Sequence, residues 1–175
     1  MVSQYLPHKG HFGADYHIMN YFKGKHNSSL DLEPTYPDIV HENFETEKYW
    51  TEFYGDVEEA ILPNTPMPLG KSVDLQMMVD SDHAGDNTPR RSCTGFMIFV
   101  NMDLVQWLSR KQTTVESSVF GAKLVAMKYG VETLRGIWYK LRIVGVPIDG
   151  PGYIFGDTMS VIYNTLRPES VSRKK

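Results

Sequence analysis

Two aspartates close strand-like runs in this chain: Asp80 in Val79-Asp80-Ser81-Asp82, and Asp157 after Tyr153-Ile154-Phe155-Gly156. Carboxylates brought together from separate strands suit hard divalent cations, which take oxygen ligands. With a helix between them, such aspartates are the framework of a metal-dependent nuclease. Here the intervening stretch Gly121-Ala122-Lys123-Leu124-Val125-Ala126-Met127 offers an ammonium. Lys123 has N–H donors and no acceptor, so it cannot ligate a cation. Like charges a few ångströms apart in a partly screened site oppose one another by on the order of 1–4 kcal/mol, so it also resists a cation's approach. Asp80 and Asp157 held close without metal would repel one another, and one would tend to keep a proton. An inserted ammonium relieves that repulsion as a fixed substitute cation.

A sheet must hold these groups. Val73, Leu75, Met77 and Val79 alternate with Asp74, Gln76 and Met78, which predicts a strand that delivers Asp80. Asp82-His83-Ala84-Gly85-Asp86-Asn87-Thr88-Pro89 is turn chemistry. Gly95-Phe96-Met97-Ile98-Phe99-Val100 predicts a buried strand, Asn101-Met102-Asp103 a tight turn, and Leu104-Val105-Gln106-Trp107-Leu108 the returning strand, with Trp107 in the core. Ser117 or Ser118 then caps a helix with Phe120, Leu124, Met127 and Val131 on one stripe. A further helical run with Leu134, Trp138 and Leu141 reaches Gly145, and Pro147 to Gly152 breaks it. A short strand over 153–155 precedes Asp157, and 158–165 begin another helix. The order βββ-α-β-α implies an α/β fold with a mixed sheet and helices packed on it. Lys123, three residues after Phe120 and four before Met127, projects toward the margin of the stripe. Its stem can cover apolar surface while the head group seeks a polar neighbour, and the nearest is the carboxylate pair.

Upstream, Phe12, Tyr16, Met19 and Phe22 recur at helical spacing over 11–24, with Gly24 as a stop. Leu30-Asp31-Leu32 reads as a short extended piece. Residues 33–71 gather Pro34, Pro37, Pro63, Pro66 and Pro68 with acids such as Glu42, Glu45 and Glu58, which predicts a long irregular connector pinned by Trp50, Phe53 and Tyr54. The domain organisation is therefore 1–32, 33–71 and 72–175. The formal net charge of −3 gives no overall basic footprint, so any nucleic-acid contact must come from local patches. One cysteine, Cys93, excludes an internal disulfide framework and reads as a small strand-edge residue. No run approaches the ~18 apolar residues of a membrane span, and Met1-Val2-Ser3-Gln4-Tyr5 lacks a basic flank and apolar core. The expectation is a soluble, unexported chain in the cytoplasm or nucleus. No zinc site, phosphate-cradling glycine loop or nucleophile-histidine-acid triad is recognisable.

From about residue 72 onward the chain resembles the ribonuclease H domain of Ty1/copia-type retrotransposon polyproteins. The resemblance rests on Val79-Asp80-Ser81-Asp82-His83-Ala84-Gly85-Asp86, on Arg90-Arg91-Ser92-Cys93-Thr94-Gly95, and on Trp107-Leu108-Ser109-Arg110-Lys111-Gln112-Thr113-Thr114-Val115-Glu116-Ser117-Ser118. Trp138-Tyr139-Lys140-Leu141-Arg142 and Gly156-Asp157-Thr158-Met159-Ser160-Val161-Ile162 follow in the same order. Gly10-His11 through Tyr21-Phe22-Lys23-Gly24 is similar to the tail of the preceding reverse transcriptase.

The resemblance implies a ribonuclease H-like fold, an RNA/DNA hybrid as partner, and hydrolysis of its RNA strand with two Mg²⁺ (or Mn²⁺) ions about 3.5–4 Å apart. It implies Asp80 as the ligand bridging both metals and Asp157 as the ligand from the later strand. It places a glutamate where Lys123 stands, so metal binding and catalysis are expected to be weakened or lost, unless a neighbouring acid such as Glu116 compensates. It also implies a further helix beyond Ser172-Arg173-Lys174-Lys175 that supplies another active-site residue, so the domain is read as truncated. Asp82 is a turn or supporting residue, or a direct ligand. His83 is a turn histidine, or touches metal or substrate. Arg90, Arg91, Arg110 and Lys111 either contact phosphates of the duplex or form a solvated face. The competing reading is a catalytically inactive retroelement relic that at most binds nucleic acid. An integrase-like enzyme acting on DNA is disfavoured, because the motifs around Asp80 and Trp107 match the hybrid-cleaving branch.

Overall fold

The computed structural model describes residues 9–27, 35–39, 55, 63–85, 90–148 and 150–166. The chain divides into two units, Met1–Leu32 and Glu33–Lys175. The first holds helix α1, Lys9–Gly24, which starts two residues before the expected 11 and ends on the expected glycine. Phe12, Tyr16, Met19 and Phe22 are exposed on it. Leu30 to Leu32, the aromatic pins Trp50, Phe53 and Tyr54, the turn residues 86–89 and the basic terminus 172–175 lie outside the described residues.

The second unit is built on a four-stranded sheet in the order β3-β2-β1-β4. β1 is Leu75–Asp82, β2 Cys93–Val100, β3 Asp103–Lys111 and β4 Tyr153–Gly156. β1 pairs antiparallel with β2, and β2 with β3, while β4 runs parallel to β1. Helix α2, Val119–Ile143, lies between β3 and β4 in sequence, and helix α3, Met159–Leu166, follows β4. This is the βββ-α-β-α order with a mixed sheet, an α/β fold of the ribonuclease H-like kind. Cys93 opens β2 and is half-buried.

Local chemistry explains the junctions. Asn101 adopts φ 54° in the β2–β3 turn, a conformation asparagine tolerates better than most residues. Its backbone N–H donates to Asp74 O at 2.8 Å, its side-chain Oδ1 accepts from Asp74 N at 2.9 Å, and its carbonyl accepts from Gln76 Nε2 at 2.9 Å. That hairpin is thus fixed to the start of β1. Ser118, in extended conformation, caps α2 by accepting from Gly121 N at 3.1 Å. At the other end Gly145 takes φ 79°, and Val146 N reaches back to Leu141 O at 2.9 Å. The connector is tied at both of its described ends: Tyr36 Oη donates to Ser72 O at 2.7 Å, and Leu69 N to Gly145 O at 2.9 Å.

The core joins Leu75, Met77 and Val79 of β1 to Phe96 and Ile98 of β2 and to Ala126 and Leu134 of α2. Three expectations are corrected here. The buried stripe of α2 is Ala122, Ala126, Gly130 and Leu134, whereas Phe120, Leu124 and Met127 are half-buried flanks and Val131 is exposed. Small residues prevail because the helix lies close on β1: a Cβ at Gly130 would stand 2.5 Å from Met77 Sδ. The two helical runs are one helix of 25 residues. Trp107 is 67% exposed. It pairs with Met97, which pairs with Met78, which pairs with Phe155. All four are exposed, on the sheet face turned away from α2, because alternate strand residues point to opposite faces.

Ile98→Ala removes a fully buried side chain from a central strand and is expected to cost about 2–5 kcal/mol. Trp107→Ala is expected to cost about 1 kcal/mol or less. Urea unfolding of both variants checks the contrast.

Candidate functional site

The parallel register of β1 and β4 builds the site. Val79 pairs with Gly156, so the residues that follow them, Asp80 within β1 and Asp157 just past β4, emerge at the same end of two neighbouring strands. Asp82, which opens the turn-rich run of the sequence, belongs to the strand. β1 runs on to Asp82, with Asp80 opposite Gly95 and Asp82 opposite Cys93. Ladder pairing with β2 holds residues that look like turn formers when read alone.

Lys123 projects from the first turns of α2 into this junction. Its Nζ bonds both carboxylate oxygens of Asp157, with 2.5 Å to Oδ2, and lies 3.1 Å from Asp80 Oδ1. The Lys123 side chain is only 15% exposed, against 67% for Asp80 and 63% for Asp157. Its stem is therefore covered, in a small cleft shared with Val79, Met127 and Val161, while the carboxylates face solvent. Asp80 Oδ1 also accepts from Ser81 N at 2.6 Å, and Asp157 Oδ1 from Thr158 Oγ1 at 2.9 Å.

Charge and hydrogen bonding shift both partners in the direction that favours the pair. The hydrogen bond from Lys123, then that from Thr158, holds the Asp157 carboxyl below its ordinary value of 3.8. The bond to Asp157 raises Lys123 above its ordinary 10.5, opposed by partial burial and aided by Asp80.

A divalent cation does not fit this donor set. The ammonium is bound by the very oxygens such an ion would need, and an ammonium contributes no lone pair. Among the described residues no group of three or more His, Cys, Asp or Glu side chains is placed to hold a metal. Glu116 is turned to other work: its Oε1 accepts from Thr114 Oγ1 at 3.0 Å, and its Oε2 lies against Gly121, 2.7 Å from where a Cβ would stand. Asp82 folds over Gly85, where a Cβ would meet its Oδ2 at 1.9 Å. His83 Nε2 lies 3.1 Å from the Glu116 carbonyl oxygen, which ties the loop after β1 to the approach to α2.

The cations gather at the same end of the sheet. Cys93 pairs with Lys111 and Thr94 with Arg110, so Arg91 and Arg90, just before β2, neighbour the end of β3. Arg90, Arg91 and Arg110 are exposed, and Arg90 has φ 51°. Arg110 Nη1 donates to Tyr129 Oη at 3.3 Å, and Lys111 is half-buried. Sequence alone missed Gln112 and Thr158 as supporting residues. Gln112 is buried, and its Nε2 donates to Thr94 Oγ1 at 3.1 Å and to Ala122 O at 2.8 Å. It thereby fixes the turn of α2 from which Lys123 departs. A polar residue directly after a strand reads as loop, and no spacing marks it otherwise.

The sign of the pH dependence follows from linkage. Because the Asp157 value is lowered, its contribution is present above pH 3.8 and is lost as pH falls through the depressed value. Because the Lys123 value is raised, its contribution is present below pH 10.5 and is lost as pH rises through the raised value. The Tm difference between wild type and Lys123→Met should hold steady across neutral pH and shrink in acid below about pH 4. Thermal unfolding as a function of pH checks this; a difference that grows in acid contradicts it.

Comparison with known proteins agrees with the motifs. The chain is 26% identical over 106 residues to the retrovirus-related Pol polyprotein from transposon RE2 of Arabidopsis thaliana, a match covering 61% of this chain and 7% of the polyprotein. The Pol polyprotein from transposon RE1 of the same plant matches to the same extent, 26% over 106 residues. An uncharacterized mitochondrial protein of Arabidopsis thaliana is 39% identical over 46 residues, 26% of this chain and 19% of that protein. No protein-family profile matches the chain, and no solved structure matches it. The chain thus spans a small fraction of the curated polyproteins that it matches. Over those 106 residues the chain is similar to a segment of retrovirus-related transposon Pol polyproteins.

Proposed function

We propose that residues 72–175 are the ribonuclease H-like domain of a Ty1/copia-type retrotransposon-derived polyprotein, a domain whose chemistry is hydrolysis of the RNA strand of RNA/DNA hybrids, and that this copy is impaired in it. One observation carries the second half of the reading: Lys123 Nζ is bound by both Asp80 and Asp157. Two-metal hydrolysis needs carboxylate oxygens to hold Mg²⁺ or Mn²⁺ against the scissile phosphate. Here those oxygens neutralise an ammonium. The same observation favours the second reading, an inactive relic that at most binds nucleic acid.

What supports a duplex partner is placement. Arg90, Arg91, Arg110 and Lys111 sit at the carboxylate end of the sheet, and phosphate contacts need only cations at suitable reach. The polyprotein context follows from the relatives, and the family's reverse transcriptase is the neighbour expected upstream. No described helix is long and apolar enough to cross a membrane.

A labelled RNA/DNA hybrid incubated with the chain and Mn²⁺ tests the reading. Wild type is expected to leave the RNA strand intact. A gel-shift on the same hybrid then separates binding from inertness: binding should weaken with rising salt, and Arg110→Ala/Lys111→Ala should reduce the slope of log K against log salt by about 1–2. Mn²⁺-dependent cleavage by wild type that Asp80→Asn abolishes would overturn the impaired reading.

A further inference from the structure

We propose that Lys123 is a tethered counterion that fastens β4 and the start of α2 to β1, and that it makes the fold of this domain independent of divalent cations. The proposal stands on the geometry of the cluster alone, and it survives if the hybrid-nuclease reading fails.

β4 is the weak point of the sheet. Among the described residues it is an edge strand, four residues long, bonded to β1 on one side only. Its last residue, Gly156, lies opposite Val79, and the two residues that follow the pair are both acidic. Neighbouring strands lie about 4.8 Å apart, so two carboxylates leave the backbone side by side and push the strand ends apart. Ser81 N and Thr158 Oγ1 give each a hydrogen bond, yet neither donor carries charge.

Lys123 supplies the missing positive charge from a third element. Its bonds run to Asp157 on one side and Asp80 on the other, so one side chain joins the ends of two strands to α2. The stem is held in place by its surroundings. Met127 and Val161 flank it, and Gln112 anchors the adjoining turn through Ala122 O. A cation from solution would do the same electrostatic work, but it would be lost on dilution. A covalently attached one is always present.

The consequence is a trade between the tethered charge and a free one. With Lys123 in place, the oxygens between the two strands already face a cation, and Mg²⁺ has no repulsion to relieve. With Lys123→Met the stem stays and the charge goes, so the two carboxylates become a site for a divalent ion that stabilises the folded state by binding it alone.

The test is thermal unfolding of the full chain with EDTA or with ~10 mM MgCl₂, a concentration chosen to populate a millimolar site. Wild type should shift by less than about 1 °C on adding Mg²⁺. Lys123→Met should melt about 3–8 °C lower in EDTA and recover most of that loss in Mg²⁺. Hydrogen exchange should show faster opening of Ile154 to Gly156 and of the first turns of α2. Lys123→Met/Asp80→Asn/Asp157→Asn should regain stability in EDTA and lose the Mg²⁺ response. If Lys123→Met alone does not fold, this triple variant still must. The proposal is overturned if Mg²⁺ stabilises wild type as much as Lys123→Met. It is equally overturned if Lys123→Met is neither destabilised nor responsive to the ion, if protection is lost uniformly across the sheet, or if the triple variant remains unfolded.

Discussion

Two carboxylates on adjacent strands need a positive charge between them, and in this protein a side chain provides it. Two features of that end of the sheet meet this need. The parallel pairing of Val79 with Gly156 sets Asp80 and Asp157 side by side, and α2 comes close enough over β1 to deliver Lys123. The close approach depends in turn on the small residues Ala122, Ala126 and Gly130. A bulkier stripe would lift the helix away from Met77 and move the ammonium off its partners.

The chain is similar over 106 residues to transposon Pol polyproteins, and its sheet order is that of a ribonuclease H-like fold. At the end of that sheet the strand register holds two acids side by side, and Lys123 neutralises them from within the protein.

Much of this was legible in the sequence, for physical reasons that can be named. Alternation from Val73 to Val79 located β1, because a strand with one buried face writes its period of two into the chain. The serine pair 117–118 marks the start of α2, and it is Ser118 that supplies the capping oxygen. Lys123 was traceable to the carboxylates because its spacing from Phe120 and Met127 put it at the margin of a buried face. The face itself is harder to read. Bulk suggested Phe120, Leu124, Met127 and Val131, but tight helix-on-sheet packing selects by closeness, and alanine and glycine give little hydrophobic signal. Trp107 misled in the opposite way: its size suggested core, while its place in the strand alternation turned it outward beside Met97. Nothing in its spacing marks Gln112 as structural, since its role lies in hydrogen bonds to Thr94 of β2 and to Ala122 of α2 that exist only once the sheet and helix meet.

The most direct measurement is an anomalous difference map from crystals of the wild-type chain soaked in Mn²⁺. The expected map shows no manganese peak between Asp80 and Asp157, with Lys123 Nζ within hydrogen-bonding distance of both carboxylates. A manganese ion coordinated by Asp80 and Asp157, with Lys123 swung into solvent, would contradict it.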